Sequence, residues 1–237
     1  MFYYYGIDWT YIVLVLPAVI FSLIASANVN STFKKYSRVY NSRRLTGADA
    51  ARRILDSNGL QHIRIERISG NLSDHFDPRS NVIRLSQAVY DGATAAAVGV
   101  AAHECGHAIQ HAVGYLPIKL RNAIIPITNI GSKLAFPMIL LGIVLTAWSQ
   151  QALMIAYIGV ALFGLSLVFQ LVTLPTEFNA SRRALKTIDN MGLLSGDDLK
   201  ASKKVLTAAA MTYVAALAVT LMQLIRLFLI VNRNRRD

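Results

Sequence analysis

The sequence predicts a mostly α integral membrane protein with about four transmembrane or hydrophobic helices and a small α+β segment. Composition is the first reason: apolar residues make up 54% and charged residues only 16% of the 237 residues, and the mean hydropathy is +0.42. Soluble domains are on average more polar than this. The second reason is that the apolar residues gather in four long runs, each near the roughly 20 residues that cross a bilayer as a helix.

The first run extends from Ile7 to about Ala27. It ends in Ala-Ser-Ala, which is typical of a signal-peptidase site, but the first ten residues contain no Lys or Arg, whereas a signal peptide begins with a basic region. Basic residues follow the run instead: Lys34, Lys35, Arg38, Arg43 and Arg44. Because such residues favour the cytoplasmic side of a span, we expect an uncleaved anchor with its N-terminus outside and the following segment in the cytoplasm.

The polar segment after the anchor mixes helices and strands. An amphipathic helix capped by Thr46 and ended by Gly59 is predicted by TGADAARRILDSNGL. A half-buried strand is predicted by the alternation in IRIERISG, and a hairpin of two short strands around 77–81 by NLSDHFDPRSNVIRLS. A long helix rich in Ala and Val is predicted from Ala93 to Gln110.

The remaining apolar runs predict further spans. Only three polar residues separate the second run, about Ile124 to Trp148, from the third, about Ala152 to Leu174, which predicts a helical hairpin. The fourth run, Val205 to Val231, ends in the basic tail NRNRRD. Four full spans would leave this tail outside, against the positive-inside rule. Either the fourth run lies partly in the membrane interface, or the tail is a local exception.

The run VAAHECGHAIQH lies in the predicted Ala/Val-rich helix and carries the most informative motif. Positions i and i+4 of a helix share one face, so His103 and His107 present two imidazoles to one point, as a zinc site requires. Glu104 is rotated about 100° from His103, off the metal but able to reach its water as a general base. The alternative is two ordinary helix histidines. The Ala, Val and Gly around them favour a site, because buried imidazoles need partners.

A third metal ligand must come from elsewhere in the chain. His111 lies about 12 Å from His103 along a straight helix, and Gln110 stands where the long motif HExxHxxGxxH has Gly. Glu177, just past the third run in LPTEFNASRRA, fits best, because the hairpin returns it to the side of the histidine helix. The preceding Pro175 and Thr176 predict that a helix begins there.

Two other interpretations of the third ligand stay open at this point. Glu177 would also suit a first-turn position in which a carboxylate stabilises the helix dipole. Asp74, Asp189 or another partner would then complete the metal site.

The net charge of +11 does not predict a nucleic-acid binder. The basic residues lie mostly beside apolar runs, and no recognisable nucleic-acid-binding motif accompanies them. The lipid bilayer and a substrate are therefore the expected partners. The single Cys105 excludes an internal disulfide and a multi-cysteine metal cluster, and we expect it to act as a small buried hydrophobe.

Taken together, HECGH, EFNASRRA and LSDHFDPRSNVIRLS resemble the YugP-type bacterial membrane zinc metallopeptidases of the neutral zinc metallopeptidase family. More distantly they resemble the HtpX and CAAX-prenyl protease groups of gluzincins. The resemblance covers nearly the whole chain. It implies a zincin-like catalytic segment that binds Zn²⁺ through His103, His107 and Glu177, with Glu104 as the general base. It also implies that Asn71 to Phe76 form an edge strand that binds extended peptide by strand addition.

One residue departs from the pattern of the distant relatives. They carry an acidic residue four positions after the glutamate ligand, where it orients a zinc histidine. This chain has Ser181 there, whose hydroxyl makes a weaker hydrogen bond of the same kind.

These observations predict a membrane-embedded zinc metalloendopeptidase of the cell membrane, acting on a peptide or protein substrate that is soluble or membrane-bound. A catalytically silent protein with a structural or partner-recruiting zinc site is the alternative, but such a site needs no base beside its ligand. A small transporter or channel is a third possibility. Arg226 is ionisable inside an apolar run but lies near one end of it, so a polar pathway is poorly supplied.

The predicted organisation has five parts, with the catalytic segment on the cytoplasmic side. They are an anchor (1–29), the catalytic segment (30–122), a transmembrane helical hairpin (123–174), a third-ligand helix and loop (175–204), and a C-terminal hydrophobic helix with a basic tail (205–237).

Overall fold

The computed structural model describes residues 8–70 and 73–234, and most of these are helical. A π-helical turn (Tyr11–Val15) precedes the first α-helix, and a 3₁₀ turn (Gln150–Ala152) precedes the sixth. The elements are, in chain order, α1 (Leu16–Tyr36), α2 (Gly47–Ser57), β1 (Arg64–Ile68), β2 (His75–Asp77), β3 (Val82–Ser86), α3 (Gln87–Tyr90), α4 (Ala95–Ala112), α5 (Leu116–Leu145), α6 (Leu153–Asn190) and α7 (Gly196–Arg233).

Four of the described helices are long and apolar enough to cross a membrane: α1, α5, α6 and α7, the first and third together with their preceding turns. The predicted mostly α membrane fold is confirmed. The chain divides into two compact units. We call one the membrane unit (Met1–Ile24, Leu120–Leu174 and Tyr213–Asp237) and the other the site unit (Ala25–Lys119 and Pro175–Thr212).

A three-stranded sheet with the order β1-β3-β2 belongs to the site unit. β1 runs parallel to β3, whereas β2 is antiparallel to β3 and forms the predicted hairpin with it. Asn81 in the connection has a φ of 51°, a conformation that Asn tolerates better than most residues. Side chains of α2, β3 and α4, including Ile54, Ile83 and Val98, are fully buried in one core. This core holds α4 rigidly beside the sheet.

The helices of the membrane unit pack through small residues and a separate apolar cluster. Ile139, Leu153, Val160 and Leu227 are buried in that cluster. A Cβ atom added to Gly159 would lie 2.7 Å from the carbonyl oxygen of Ala135, so α5 and α6 approach too closely for any larger residue. Close contact through small residues is typical of helices in membranes.

The prediction that a helix begins at Pro175 is wrong. α6 continues without a break from Leu153 to Asn190, with Pro175 in its interior. Proline removes one backbone hydrogen bond from a helix, and long membrane helices tolerate this when neighbouring groups compensate. Glu177 therefore lies in mid-helix. The interpretation of Glu177 as a first-turn residue that stabilises a helix dipole is wrong.

The polar stretch after the third apolar run is mostly helical. Between α6 and α7 only residues 191–195 are outside α-helix, and α7 begins at Gly196, nine residues before the predicted fourth run. Asp197 and Asp198 lie in its first turn, where acidic side chains stabilise the helix N-terminus.

Candidate metal centre

α4 presents both motif histidines to α6. The Nε2 atoms of His103 and His107 are 3.1 Å apart, and the two rings stand nearly perpendicular, at 89°. The helices pack closely here because Gly106 faces α6: a Cβ atom at this position would lie 2.7 Å from the carbonyl oxygen of Ala180. The small residue between the two histidines thus allows α6 to bring its own side chains to the imidazoles.

Glu177 is the side chain that α6 brings to the histidines. Its Oε2 atom lies 3.2 Å from Nε2 of His103 and 3.4 Å from Nε2 of His107. The ligand atoms of the three residues all lie within 4.8 Å of one another, and no other group of three His, Cys, Asp or Glu residues with this property occurs in the described part of the chain. Glu177 and His107 are buried, whereas 14% of the His103 side chain is exposed.

Gln110 determines which nitrogen of His107 faces the cluster. Its Nε2 donates to the carbonyl oxygen of Thr176 at 2.8 Å and to Oδ1 of Asn179 at 3.0 Å. Because a carbonyl oxygen only accepts, the amide nitrogen of Gln110 must point to α6, which leaves Oε1 facing Nδ1 of His107 at 3.0 Å. Oε1 also only accepts, so Nδ1 carries the proton and Nε2 has its lone pair directed at the cluster.

Ser181 has the corresponding position beside the other histidine. Its Oγ lies 3.1 Å from Nδ1 of His103. The hydrogen bond that the sequence suggested for Ser181 is therefore present. A serine hydroxyl both donates and accepts, so this contact fits the His103 tautomer that has a proton on Nδ1 and a lone pair on Nε2, towards Glu177.

These tautomers place three electron-pair donors at one point, and this arrangement fits a metal cation. The lone pairs of two imidazole nitrogens and a carboxylate oxygen repel one another unless a proton or a cation lies between them. Burial alone lowers the pKa of His107, but the hydrogen bond to Glu177 and the charges of Glu104 and Glu177 raise it above its ordinary value. Two histidines and one glutamate are the ligand set of many catalytic zinc sites. Bound Zn²⁺ would take the place of the proton between the histidine Nε2 atoms and Glu177.

Glu104 and Cys105 follow His103 on α4 but differ in their surroundings. Glu104 is buried, and its charge contributes to the raised pKa of His107. Glu104 does not belong to the group of three ligand residues. Cys105 is fully buried, with Sγ 3.6 Å from the carbonyl oxygen of Ala51. Burial raises the pKa of its thiol, so it packs as an inert small side chain.

The other residues weighed as ligands have different partners. His111 is exposed, and its ring contacts that of Phe76 edge to face at 6.0 Å. Asp74 accepts hydrogen bonds from the backbone N–H of Ser86 at 2.7 Å and from its hydroxyl at 3.0 Å. Burial raises the pKa of Asp74 despite these bonds. Asp189 is exposed near the end of α6.

The predicted peptide-binding strand corresponds in part to β2. This strand is at one edge of the sheet, and Phe76 in it contacts His111, one helical turn beyond the metal-site histidines. Asn71 and Leu72, at the start of the predicted segment, lie outside the described residues.

Sequence reasoning missed the polar chain behind His107. It leads from Gln110 to Asn179, which also accepts a hydrogen bond from Nε of Arg183 at 2.7 Å. The guanidinium group of Arg183 lies 6.0 Å from the ring centre of Tyr115. Spacing offered a signal, because Gln110 is three residues after His107 and Asn179 two after Glu177, but only the contact between α4 and α6 shows that they meet.

Comparisons with known proteins identify the family of the chain. The chain matches, over residues 11–232, the model of a family described as "Putative neutral zinc metallopeptidase". It is 44% identical over 227 residues to "Putative membrane protease YugP" of Bacillus subtilis (strain 168), and the match covers 96% of this chain and 98% of that protein. No solved structure matches the chain significantly. The resemblance seen in the motifs is confirmed: the chain belongs to the neutral zinc metallopeptidase family.

Proposed function

We propose that the protein is a zinc-dependent endopeptidase embedded in the membrane, with His103, His107 and Glu177 as the metal ligands. The observation that carries this proposal is the convergence of two imidazole nitrogens and a carboxylate oxygen within 4.8 Å of one another. Bound zinc would polarise the carbonyl of the peptide bond and lower the pKa of a water molecule.

Glu104 moves the proton in this mechanism. Its carboxylate accepts a proton from the attacking water and then donates it to the leaving amine, which is the role of a general acid–base residue beside a metal site. A buried carboxylate next to a ligand has no purpose in a purely structural site. Glu104 is therefore the residue that separates an enzyme from a silent zinc protein.

Gln110 and Ser181 act as positioning residues. Each contacts the Nδ1 atom of one histidine, and such contacts fix the tautomer and the ring orientation of metal ligands. Gln110 has a second task, because its amide nitrogen is bound to the backbone of Thr176, the residue before Glu177. One side chain thus keeps His107 and the backbone beside the third ligand in register.

The metal analysis and cleavage assay of the purified full chain test the proposal together. We expect one zinc per chain and cleavage of some members of a broad peptide library, with cleavage lost on chelation and restored by added zinc. A zinc-loaded chain that leaves the whole library intact would favour a structural or partner-recruiting site.

We also propose that the site unit is cytoplasmic and that β2 receives extended peptide by strand addition. The basic residues after the first span support this orientation. In intact cells, Arg53→Cys in α2 is expected to be shielded from an impermeant thiol reagent. Gln151→Cys in the hairpin connection is expected to react. The opposite labelling would place the site unit outside.

A further inference from the structure

A groove of about 630 Å³ lies between α1 and α7 within the site unit. From α1 it is lined by Asn28, Thr32, Lys35 and Tyr36. These positions follow i, i+4, i+7 and i+8, so they form a single face of the helix. The lining from α7 has the same periodicity, which makes the groove a cleft between two helix faces.

The groove is strongly basic. Lys35 of α1 and Lys200, Lys203 and Lys204 of α7 all line it, and none of the described lining residues is acidic. Lys200 pairs with Asp197 at 2.9 Å, but the side chain of Asp197 is almost fully exposed. Four lysines around one cleft create a positive potential that concentrates anions.

The charge is confined to one end of the groove. Seven residues separate Lys35 from Asn28 and Lys204 from Met211, or about 10 Å along each helix axis. Asn28 and Met211 are uncharged, and they are near the residues at which α1 and α7 continue into the membrane unit, after Ile24 and before Tyr213. The groove therefore changes from basic to uncharged in the direction of the spanning segments.

We propose that this groove binds an anionic phospholipid, with the headgroup phosphate between the lysines and the glycerol and upper acyl region beside Asn28 and Met211. A lysine ammonium group binds phosphate as a point charge, and the hydroxyl group of Tyr36 offers a further donor. A membrane protein meets such lipids wherever it is embedded. The polarity gradient matches that of a lipid at the interface rather than that of a soluble phosphate.

Lys34 and Lys35 allow a matched test. Both are exposed lysines on α1, and a general attraction to anionic membranes would use them equally. Only Lys35 lines the groove. Native mass spectrometry of the full chain in detergent, titrated with phosphatidylglycerol or phosphatidylcholine, reports the bound lipid directly.

We expect phosphatidylglycerol to bind more tightly than phosphatidylcholine. Lys35→Gln and Lys203→Gln are each expected to weaken phosphatidylglycerol binding by about fivefold, whereas Lys34→Gln retains the binding of the unmodified chain. Zinc content is expected to be equal in all of these proteins, because none of the lysines touches the metal centre. The lipid-binding result therefore does not depend on whether the protein is a peptidase.

Three outcomes would overturn the proposal. Equal losses in Lys34→Gln and Lys35→Gln would show general surface charge instead of a site. Equal affinity for the two lipids would remove the role of the headgroup charge. Displacement of the lipid by millimolar glycerol phosphate would identify a soluble phosphate as the ligand.

Discussion

The two units of the chain use buried polar groups in different ways. In the site unit, Glu104, His107, Gln110 and Glu177 are all buried. The ligand atoms of His103, His107 and Glu177 lie within 4.8 Å of one another. In the membrane unit, a contrasting polar contact is an ion pair, in which Nε of Arg226 donates to Oδ2 of Asp8 at 2.9 Å. The cluster in the site unit directs lone pairs at a common point, whereas the ion pair in the membrane unit neutralises the charge of Arg226.

This difference separates function from stabilisation. A charged residue in an apolar run often marks a functional site, and Arg226 is such a residue. The structure gives it a carboxylate partner and places it over the ring of Tyr11 at 5.4 Å, so its role is to hold α7 to the start of the chain. The site unit instead concentrates more buried polarity than packing requires, which is typical of active sites.

The largest expected effect follows from removing a metal ligand. His103→Ala, His107→Ala and Glu177→Ala each take away one of three donor atoms, so we expect zinc occupancy to fall sharply in the metal analysis of each purified variant. His111→Ala is the matched control, because this histidine is on the same helix but contacts Phe76. Full zinc retention in Glu177→Ala would move the third ligand elsewhere.

A smaller loss is expected when the support of a ligand is removed. Gln110→Leu keeps a similar volume but cannot accept from Nδ1 of His107 or donate to Thr176, and loss of such contacts weakens metal binding by about 10- to 100-fold. Competition with a chelator of known affinity measures this change. Ser181→Ala is expected to lose less, since a neutral hydroxyl is a weaker partner. Unchanged zinc affinity in Gln110→Leu would contradict the positioning role.

The close approach of α4 and α6 is tested by two glycines. Gly106→Ala places a methyl group against the carbonyl of Ala180, and overpacking of this kind costs about 1–3 kcal/mol. Gly164→Ala in the membrane unit is the control, because nothing lies within 4 Å of its added Cβ. We expect thermal unfolding in detergent to be lowered only by Gly106→Ala. Similar midpoints for the two variants would show that α4 and α6 separate easily.

The ion pair of the membrane unit is expected to affect stability but not zinc. Asp8→Asn leaves the partly buried guanidinium of Arg226 without its anionic partner, which we expect to cost about 1–3 kcal/mol. The double variant with Arg226→Gln restores a neutral pair and recovers part of that loss. Thermal unfolding measures both. A loss of zinc in Asp8→Asn would contradict the division of roles between the two units.

Local sequence patterns were sufficient for the elements and for the histidine pair. The i, i+4 spacing of His103 and His107 places both on one helix face whatever surrounds them, and the alternation in β1 and the turn before β3 are likewise local. The prediction of a helix start at Pro175 was wrong because the free-energy cost of proline in a helix depends on neighbouring groups, which the sequence does not show. Gln110 was missed because its function depends on contact with α6, about seventy residues away in the chain.

The candidate third ligand illustrates the same limit. Glu177 was favoured over Asp74 and Asp189 from the return of the hairpin, which is a topological argument. The structure adds what topology lacked, namely the distance of its Oε2 from both histidines. The basic groove could not be predicted at all, because Lys35 and Lys203 come from opposite ends of the sequence.

Glu104→Gln tests the central claim most directly, because it separates chemistry from metal binding. The amide has the size and shape of the carboxylate but cannot take a proton from water, and general-base assistance contributes about 10²- to 10⁴-fold in rate. We predict a folded, membrane-inserted protein that binds as much zinc as the unmodified chain and cleaves its peptide substrate at least about a hundredfold more slowly. Cleavage at a comparable rate by zinc-loaded Glu104→Gln would contradict the account.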